Sequence, residues 1–252
     1  MPVNTPMQSA DRIFAVMEIM SFHPRGISLA DICAATGLAK STAMRMVMAL
    51  VSNGYAVQDS TTRKYRLTMR LFEVGSRVAD SANLLSAARV HLEKLAQVSG
   101  ETVHLVTRLG NDVVYIYKEE GGSSVVRMGS SVGLKSPMYC TGVGKSILAY
   151  LDKNEVCDVF NSSEIVKYTD NTITSLDMLL SELDTVRNNG YAIDNEEHEQ
   201  GVCCIAAPIL NLSQKPIASI SLSAPKIRLD RKRIEELIPH VVKTAKKIAR
   251  SY

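Results

Sequence analysis

Several residues in the second half of this 252-residue chain have types and spacings that suit chemistry. Gly142-Val-Gly-Lys-Ser146 looks like the end of a phosphate-binding loop, but that motif needs a glycine five residues before Gly144, and position 139 is Tyr. No βαβ pattern precedes it, which argues against a nucleoside triphosphatase. The two glycines still open a helix, and the free N–H groups at a helix start suit a small carboxylate. Further on, Asp194-Asn-Glu-Glu-His-Glu-Gln-Gly-Val-Cys-Cys204 collects carboxylates, an imidazole and thiols. The stretch is not H-E-x-x-H, and one histidine among scattered acids is no metal set. Cys204 would be a nucleophile only with a histidine base beside it, His198 or His104, and a cysteine opening an apolar strand is more often simply packed. Ser219, Ser221 and Ser223 alternate, so their hydroxyls share one strand face, where they either line a polar pocket or sit on a crowded sheet.

A second set of residues suits a polyanion. Residues 40–70 hold Lys40, Arg45, Arg63, Lys64, Arg66 and Arg70 against one acid, Asp59. Nine Lys/Arg face six Asp/Glu in residues 1–82, whereas the remainder is balanced at twenty of each. A short basic segment beside a neutral body is what neutralising the phosphates of nucleic acid requires, although a solvated basic surface has the same composition.

The elements that must position these residues follow from periodicity. Residues 10–21 read as an amphipathic helix with Ile13, Phe14, Met17 and Met20 on one face, ended by Pro24 and Gly26. Ser28-Leu-Ala-Asp31 has capping-box spacing and starts a short helix that Gly37 ends. Lys40 to Ser52 forms a third helix with Ala43, Val47, Leu50 and Val51 inward and Ser41, Arg45, Met48 and Ser52 outward. Helices two and three with their tight turn make a helix-turn-helix, and Tyr55 to Gln58 and Lys64 to Leu67 read as a β wing around the basic turn Ser60 to Arg63. In that arrangement Lys40, Ser41, Thr42 and Arg45 enter a major groove, where arginine pairs with guanine, while Arg63, Lys64 and Arg66 reach neighbouring phosphates. Residues 68–82 read as a further helix, either a dimerisation element or a plain linker, followed by a helix over Leu84 to Val98. From Glu101 strands are expected at 101–108, 113–118 and 124–128, helices near 143–151, 153–160 and 175–189, strands at 191–194, 203–210 and 217–223, and a last helix from Asp230. The fold class is therefore α+β, an antiparallel sheet covered by helices. The expected domains are a winged helix-turn-helix over 1–68, a linker helix over 69–83 and a ligand-binding domain over 84–252.

Composition narrows the class. The chain is 46% hydrophobic and 22% charged, ordinary globular values. No apolar run approaches the ~18 residues of a membrane helix, and Met1 to Arg12 lacks the apolar centre of a signal peptide, so a cytoplasmic protein is expected. Five cysteines without C-x-x-C spacing suit reduced thiols rather than a disulfide framework or a zinc site. No cofactor and no metal are expected.

The motifs together resemble the IclR-type bacterial transcriptional regulators. The resemblance runs through Gly37-Leu-Ala-Lys-Ser-Thr42, Gly54-Tyr55, Lys64-Tyr-Arg-Leu67, Pro137-Met138, Gly142-x-Gly-Lys, the acidic run into Gly201-x-Cys-Cys-Ile-Ala, and Ile220-Ser-Leu-Ser, in order over nearly the whole chain. It implies a winged helix-turn-helix, a linker helix and a GAF-like effector domain assembled as dimers or tetramers on palindromic operator DNA. Carried over by position, it implies an effector pocket at Met128, Gly142, Val143, Asp194, Cys204, Ser221 and Ser223. Such a lining suits a small acid carrying hydroxyls, its carboxylate on the Gly142 and Val143 N–H groups and its hydroxyls at Asp194. Ala39 departs from the family's usual Ser or Pro, leaving helix three without a side-chain cap. Lys64 to Gly75, Asn171-Thr-Ile-Thr-Ser175 and Asp194-Asn-Glu-Glu197 are most similar to the regulators of 2-keto-3-deoxygluconate genes. The implied function is a repressor of catabolic genes whose operator affinity is set by a small organic acid, that sugar acid or a related one first, with glyoxylate, pyruvate or an aromatic acid as the alternatives. A Cys/His-dependent enzyme is the opposing class.

Overall fold

A computed structural model describes residues 8–81, 84–122 and 129–251. The chain divides into two compact units, Met1–Ser81 and Ala82–Tyr252.

The first unit is built from α1 (Gln8–Ser21), α2 (Leu29–Thr36), α3 (Lys40–Ser52), β1 (Ala56–Gln58), β2 (Tyr65–Leu67) and α4 (Arg70–Ser81). Ser28 caps α2, its hydroxyl accepting from the Asp31 N–H. Gly37 ends that helix in the left-handed region at φ 68°, where its N–H reaches the Cys33 carbonyl, and this lets the chain turn at once into α3. Ala39 gives α3 no side-chain cap. Val16, Ile32, Ala43, Val47 and Leu50 are fully or nearly fully buried and form the core of this unit, with Met46 inward as well and Val51 only half-buried. Ile27 and Tyr65 exchange backbone hydrogen bonds of 2.9 Å, which ties the loop before α2 to the wing.

The second unit carries α5 (Leu84–Ser99), β3 (Thr102–Leu109), β4 (Asp112–Glu119), β5 (Lys135–Pro137), α6 (Gly142–Leu148), α7 (Lys153–Ser162), α8 (Leu176–Asn189), β6 (Ala192–Asn195), β7 (Val202–Leu210), β8 (Pro216–Pro225) and α9 (Arg231–Ser251). Its six strands form one antiparallel sheet in the order β5-β4-β3-β8-β7-β6. The expected strand over 124–128 lies outside the described residues, and β5 was not foreseen because its three residues show no alternation.

The two faces of the sheet differ. Ala218, Ile220, Leu222 and Ala224 of β8 pack with Cys203, Ile205, Ala207 and Ile209 of β7 against α5 and α9. The alternate residues, Ser219, Ser221 and Ser223 with Cys204 and Ala206, point to the opposite face, over which α6 and the cluster around Val143, Ile147 and Leu183 lie. Strands buried on both faces read as continuous apolar runs, which is why β7 shows no clean alternation of apolar and polar residues.

Candidate functional site

Strand register builds the small-molecule site. Antiparallel pairing sets Thr102, Ser223, Cys204 and Asp194 in one row across β3, β8, β7 and β6, and His104, Ser221 and Ala206 in the next. The two rows are two residues apart along each strand, so their side chains share a face. Above them α6 begins close in: a β-carbon on Gly142 would lie 3.3 Å from the Ala206 β-carbon and 3.5 Å from that of Asp194. A small, partly enclosed cavity of about 60 Å³ results, lined among others by Gly142, Val143, Asp194, Cys204, Ser221 and Ser223. Every described residue of the expected pocket is therefore brought to one cavity; Met128 lies outside the described residues.

His104, which entered the sequence reading only as a possible base for Cys204, sits at the centre of the polar lining. Its Nδ1 lies 3.3 Å from Ser221 Oγ and 3.4 Å from Ser223 Oγ, and its Nε2 lies 2.8 Å from Ser130 Oγ. Burial, helped by the charge of Lys118, pulls it down to about 3, so the ring is neutral and passes hydrogen bonds between serines. Tyr115 stands edge-on at 5.1 Å. Ser219 turns to Ser146 Oγ at 2.7 Å and the Ala207 carbonyl at 3.1 Å, a packing role rather than a binding one.

Asp194 holds a different position from the one its sequence neighbourhood suggested. Its carboxylate accepts the Glu197 N–H at 2.8 Å, and the nearby backbone N–H groups of His198 and Gly142 favour its charged form. The Gly142 N–H expected to meet a ligand carboxylate lies near Asp194 as well, and Thr141 Oγ1 takes the Gly144 N–H at 3.2 Å. Even so, burial raises Asp194 to about 6. Cys204 is pushed well above the usual thiol range by burial and by Asp194, so it is a neutral SH group and no nucleophile.

The Gly-x-Gly-Lys motif is explained by packing. A β-carbon on Gly144 would fall 2.3 Å from the Met138 Cα. Lys145 is fully buried, and its Nζ donates to Glu197 Oε1 at 2.5 Å, the Ile193 carbonyl at 2.7 Å and Glu182 Oε1 at 3.0 Å. Its two carboxylates hold the ammonium charged, while burial pushes Glu197 up to about 7. The signal for this network was an isolated lysine inside an apolar helix, and its partners, 37 and 52 residues away, had no sequence mark.

In the first unit Lys40, Ser41 and Arg45 are exposed and Thr42 is half-buried at the start of α3. Arg63, Lys64 and Arg66 are exposed on the wing. Its turn is held by Asp59, whose carboxylate accepts the Thr61 N–H at 3.0 Å, the Thr62 N–H at 2.7 Å and the Thr62 hydroxyl at 2.9 Å, which lowers its own pKa. Arg63 occupies the left-handed region at φ 58°.

A winged helix-turn-helix beside an α+β unit with a polar internal cavity defines a DNA-binding regulator of the ligand-responsive class. The chain belongs to the IclR family: residues 9–60 match the IclR helix-turn-helix domain, and residues 76–250 match the bacterial transcriptional regulator IclR C-terminal domain. It is 33% identical over 243 residues to the HTH-type transcriptional regulator KdgR of Escherichia coli K12, covering 96% of this chain and 92% of that protein. It is 34% identical over 244 residues to the DNA-binding transcriptional repressor YiaJ of the same organism, covering 96% and 86%. In fold it resembles the crystal structure of an IclR homolog complexed with 4-hydroxybenzoate from Microbacterium hydrocarbonoxydans, with a TM-score of 0.85, 23% identity and coverage of 97% and 98%. The family is one of transcription regulators, not enzymes. Among the described residues no helix is long and apolar enough to cross a membrane.

Proposed function

We propose that the chain represses catabolic genes by binding palindromic operator DNA as a dimer or tetramer, and that a small organic acid in the cavity between α6 and the sheet sets its operator affinity. The observation that carries the effector half is the convergence of Gly142, Val143, Asp194, Cys204, Ser221 and Ser223, scattered over 82 residues of chain, on one cavity. On the DNA side, Lys40, Ser41, Thr42 and Arg45 contact bases and phosphates, and Arg63, Lys64 and Arg66 contact phosphates. Among the described residues Lys40, Arg45, Arg63 and Lys64 make no ion pair, so their charges are available to phosphates. Met69 and Phe72 at the start of α4 are 73% and 68% exposed, which favours α4 as a pairing surface between two copies.

The resemblance to regulators of 2-keto-3-deoxygluconate genes makes that sugar acid the first effector to test. At about 60 Å³ the cavity is far below the ~300 Å³ of a usual ligand pocket, so a six-carbon acid enters only if the walls part. Glyoxylate and pyruvate demand less opening, and the 4-hydroxybenzoate complex of the Microbacterium protein makes an aromatic acid the third arm. A thermal-shift series with these acids, followed by DNA-binding titrations with and without each, is the test, because a ligand of the native state raises apparent stability. The proposal predicts that one acid both stabilises the protein and changes its DNA affinity. Failure of all four to do either would show that the cavity is not an effector site.

A further inference from the structure

We infer that an organic acid enters this cavity by sharing a proton with Asp194, so that each ligand bound takes up one proton from solution. The inference rests on the effector reading above and concerns how the site neutralises its ligand.

The cavity is small and one wall is a carboxylate. Asp194 is 5% exposed and lines a space of about 60 Å³, so any ligand carboxylate inside lies within a few ångströms of it. Among the described residues that line the cavity there is no lysine or arginine. Among the described residues the charged and titratable groups around the cavity are these, with Lys118 of β4 at its rim, where its ammonium donates to the Ser130 carbonyl at 3.0 Å. From α6 comes Lys145, whose ammonium is spent on Glu197 and Glu182 behind the cavity. From the turn after β6 come Glu197, itself an acid raised by burial, His198, held toward its neutral form by burial, and Glu199. From β7, β4 and the segment before α6 come Cys204, Tyr115 and Cys140, all neutral near pH 7 because burial raises them. From β3 comes His104, also neutral.

Two carboxylates therefore meet in a confined site whose described lining offers no cation of its own. Like charges so placed cannot both stay ionised, and one takes a proton. The free acids in water are fully ionised near neutrality, so the proton comes from the solvent and settles between the ligand and Asp194. The Glu197 N–H on Asp194 helps hold it in place for a carboxyl–carboxylate hydrogen bond, which is short and strong. Asp194 is prepared for this, since burial lifts it toward neutrality before any ligand arrives.

Isothermal titration of the full chain decides it, with pyruvate, glyoxylate, 2-keto-3-deoxygluconate and 4-hydroxybenzoate as probes in buffers of different ionisation enthalpy. The slope of observed heat against buffer enthalpy counts protons. We expect uptake approaching one proton per acid bound at about pH 7.5, and a Kd that rises roughly tenfold per pH unit above that. In Asp194→Asn, the neutral isostere, uptake should vanish and Kd should stop depending on pH. The wild-type measurement stands by itself if that variant fails to fold. Clear binding with no proton uptake would overturn the inference and leave the effector reading in place. Absence of binding by all four acids would overturn both.

Discussion

Arg45 and Arg63 are both exposed cations in the first unit, yet they should respond to different features of a duplex. If Arg45 at the start of α3 pairs with a guanine edge, Arg45→Ala weakens operator binding by about 1–3 kcal/mol and relaxes sequence preference at one position. If Arg63 on the wing meets only phosphate, as proposed, Arg63→Ala should weaken all sequences alike and lower the slope of log K against log salt by about one. Fluorescence anisotropy on specific and scrambled duplexes over a salt series separates the two; an unchanged operator affinity in Arg45→Ala would show that α3 is not the reading helix. Two buried groups of the second unit give opposite pH signatures. His104 is held down to about 3 against an ordinary 6.5, so its contribution to stability is present above pH 6.5 and is lost as the pH falls. Glu197 is pushed up to about 7 from an ordinary 4.5, so its contribution is present below pH 4.5 and is lost as the pH rises through 7. Compared with Glu197→Gln, the wild-type chain should therefore lose stability between about pH 5 and pH 7.5 in urea unfolding. The His104 effect cancels in that comparison. Parallel profiles for the two proteins would refute the assignment.

Among the elements, α6 carries the tightest packing. It is seven residues long, all of them buried, and it seats Lys145 beneath the sheet edge while its first turn roofs the cavity. Gly144 allows this because its α-carbon passes Met138 backbone at a distance that leaves no room for a methyl group. Backbone cannot yield as a side chain does, so Gly144→Ala should cost about 1–3 kcal/mol or more of the second unit's stability. Gly142→Ala, which meets only the Ala206 side chain and the Asp194 main and side chain at 3.3 Å or beyond, should cost clearly less. Urea midpoints for the two variants give the comparison, and equal losses would mean that α6 shifts freely. The wing is a second element set by a single residue, since Asp59 holds Thr61 and Thr62 and leaves Arg63 at the tip.

For the molecule as a whole, regulation requires the two units to share one coupling free energy. Whatever factor the acid imposes on operator affinity, the operator must impose on acid affinity, because linkage is reciprocal. Titrating the effective acid into the free protein and into the protein saturated with operator duplex should therefore give Kd values that differ by the same factor, typically 5- to 150-fold for such a coupling. If the acid changes DNA affinity but the duplex leaves acid affinity unchanged, the two effects do not belong to one equilibrium, and an aggregated or heterogeneous species is responsible.

Much of the fold was legible because its signals are local. Ser28 three residues before Asp31, Gly37 after α2, and the alternation around Ser60 to Arg63 each depend on neighbours within one turn, and the structure places α2, α3 and the wing within a residue of the reading. The pocket positions came from motif order along the chain, not from geometry. What only the tertiary structure decided is how those positions are used. Nothing near Lys145 announces Glu182 or Glu197, and nothing near His104 announces Ser221, Ser223 and Ser130. These pairings are set by strand register and by how closely α6 can approach the sheet, and both are properties of the packed chain. Sequence by itself determined most of the elements, their order and the basic face of the first unit, since each rests on side chains a few residues apart, whereas the three-residue β5 carries no such signal. The tertiary structure decided which buried charges are matched and which are not, since desolvation exists only once the chain has closed around them.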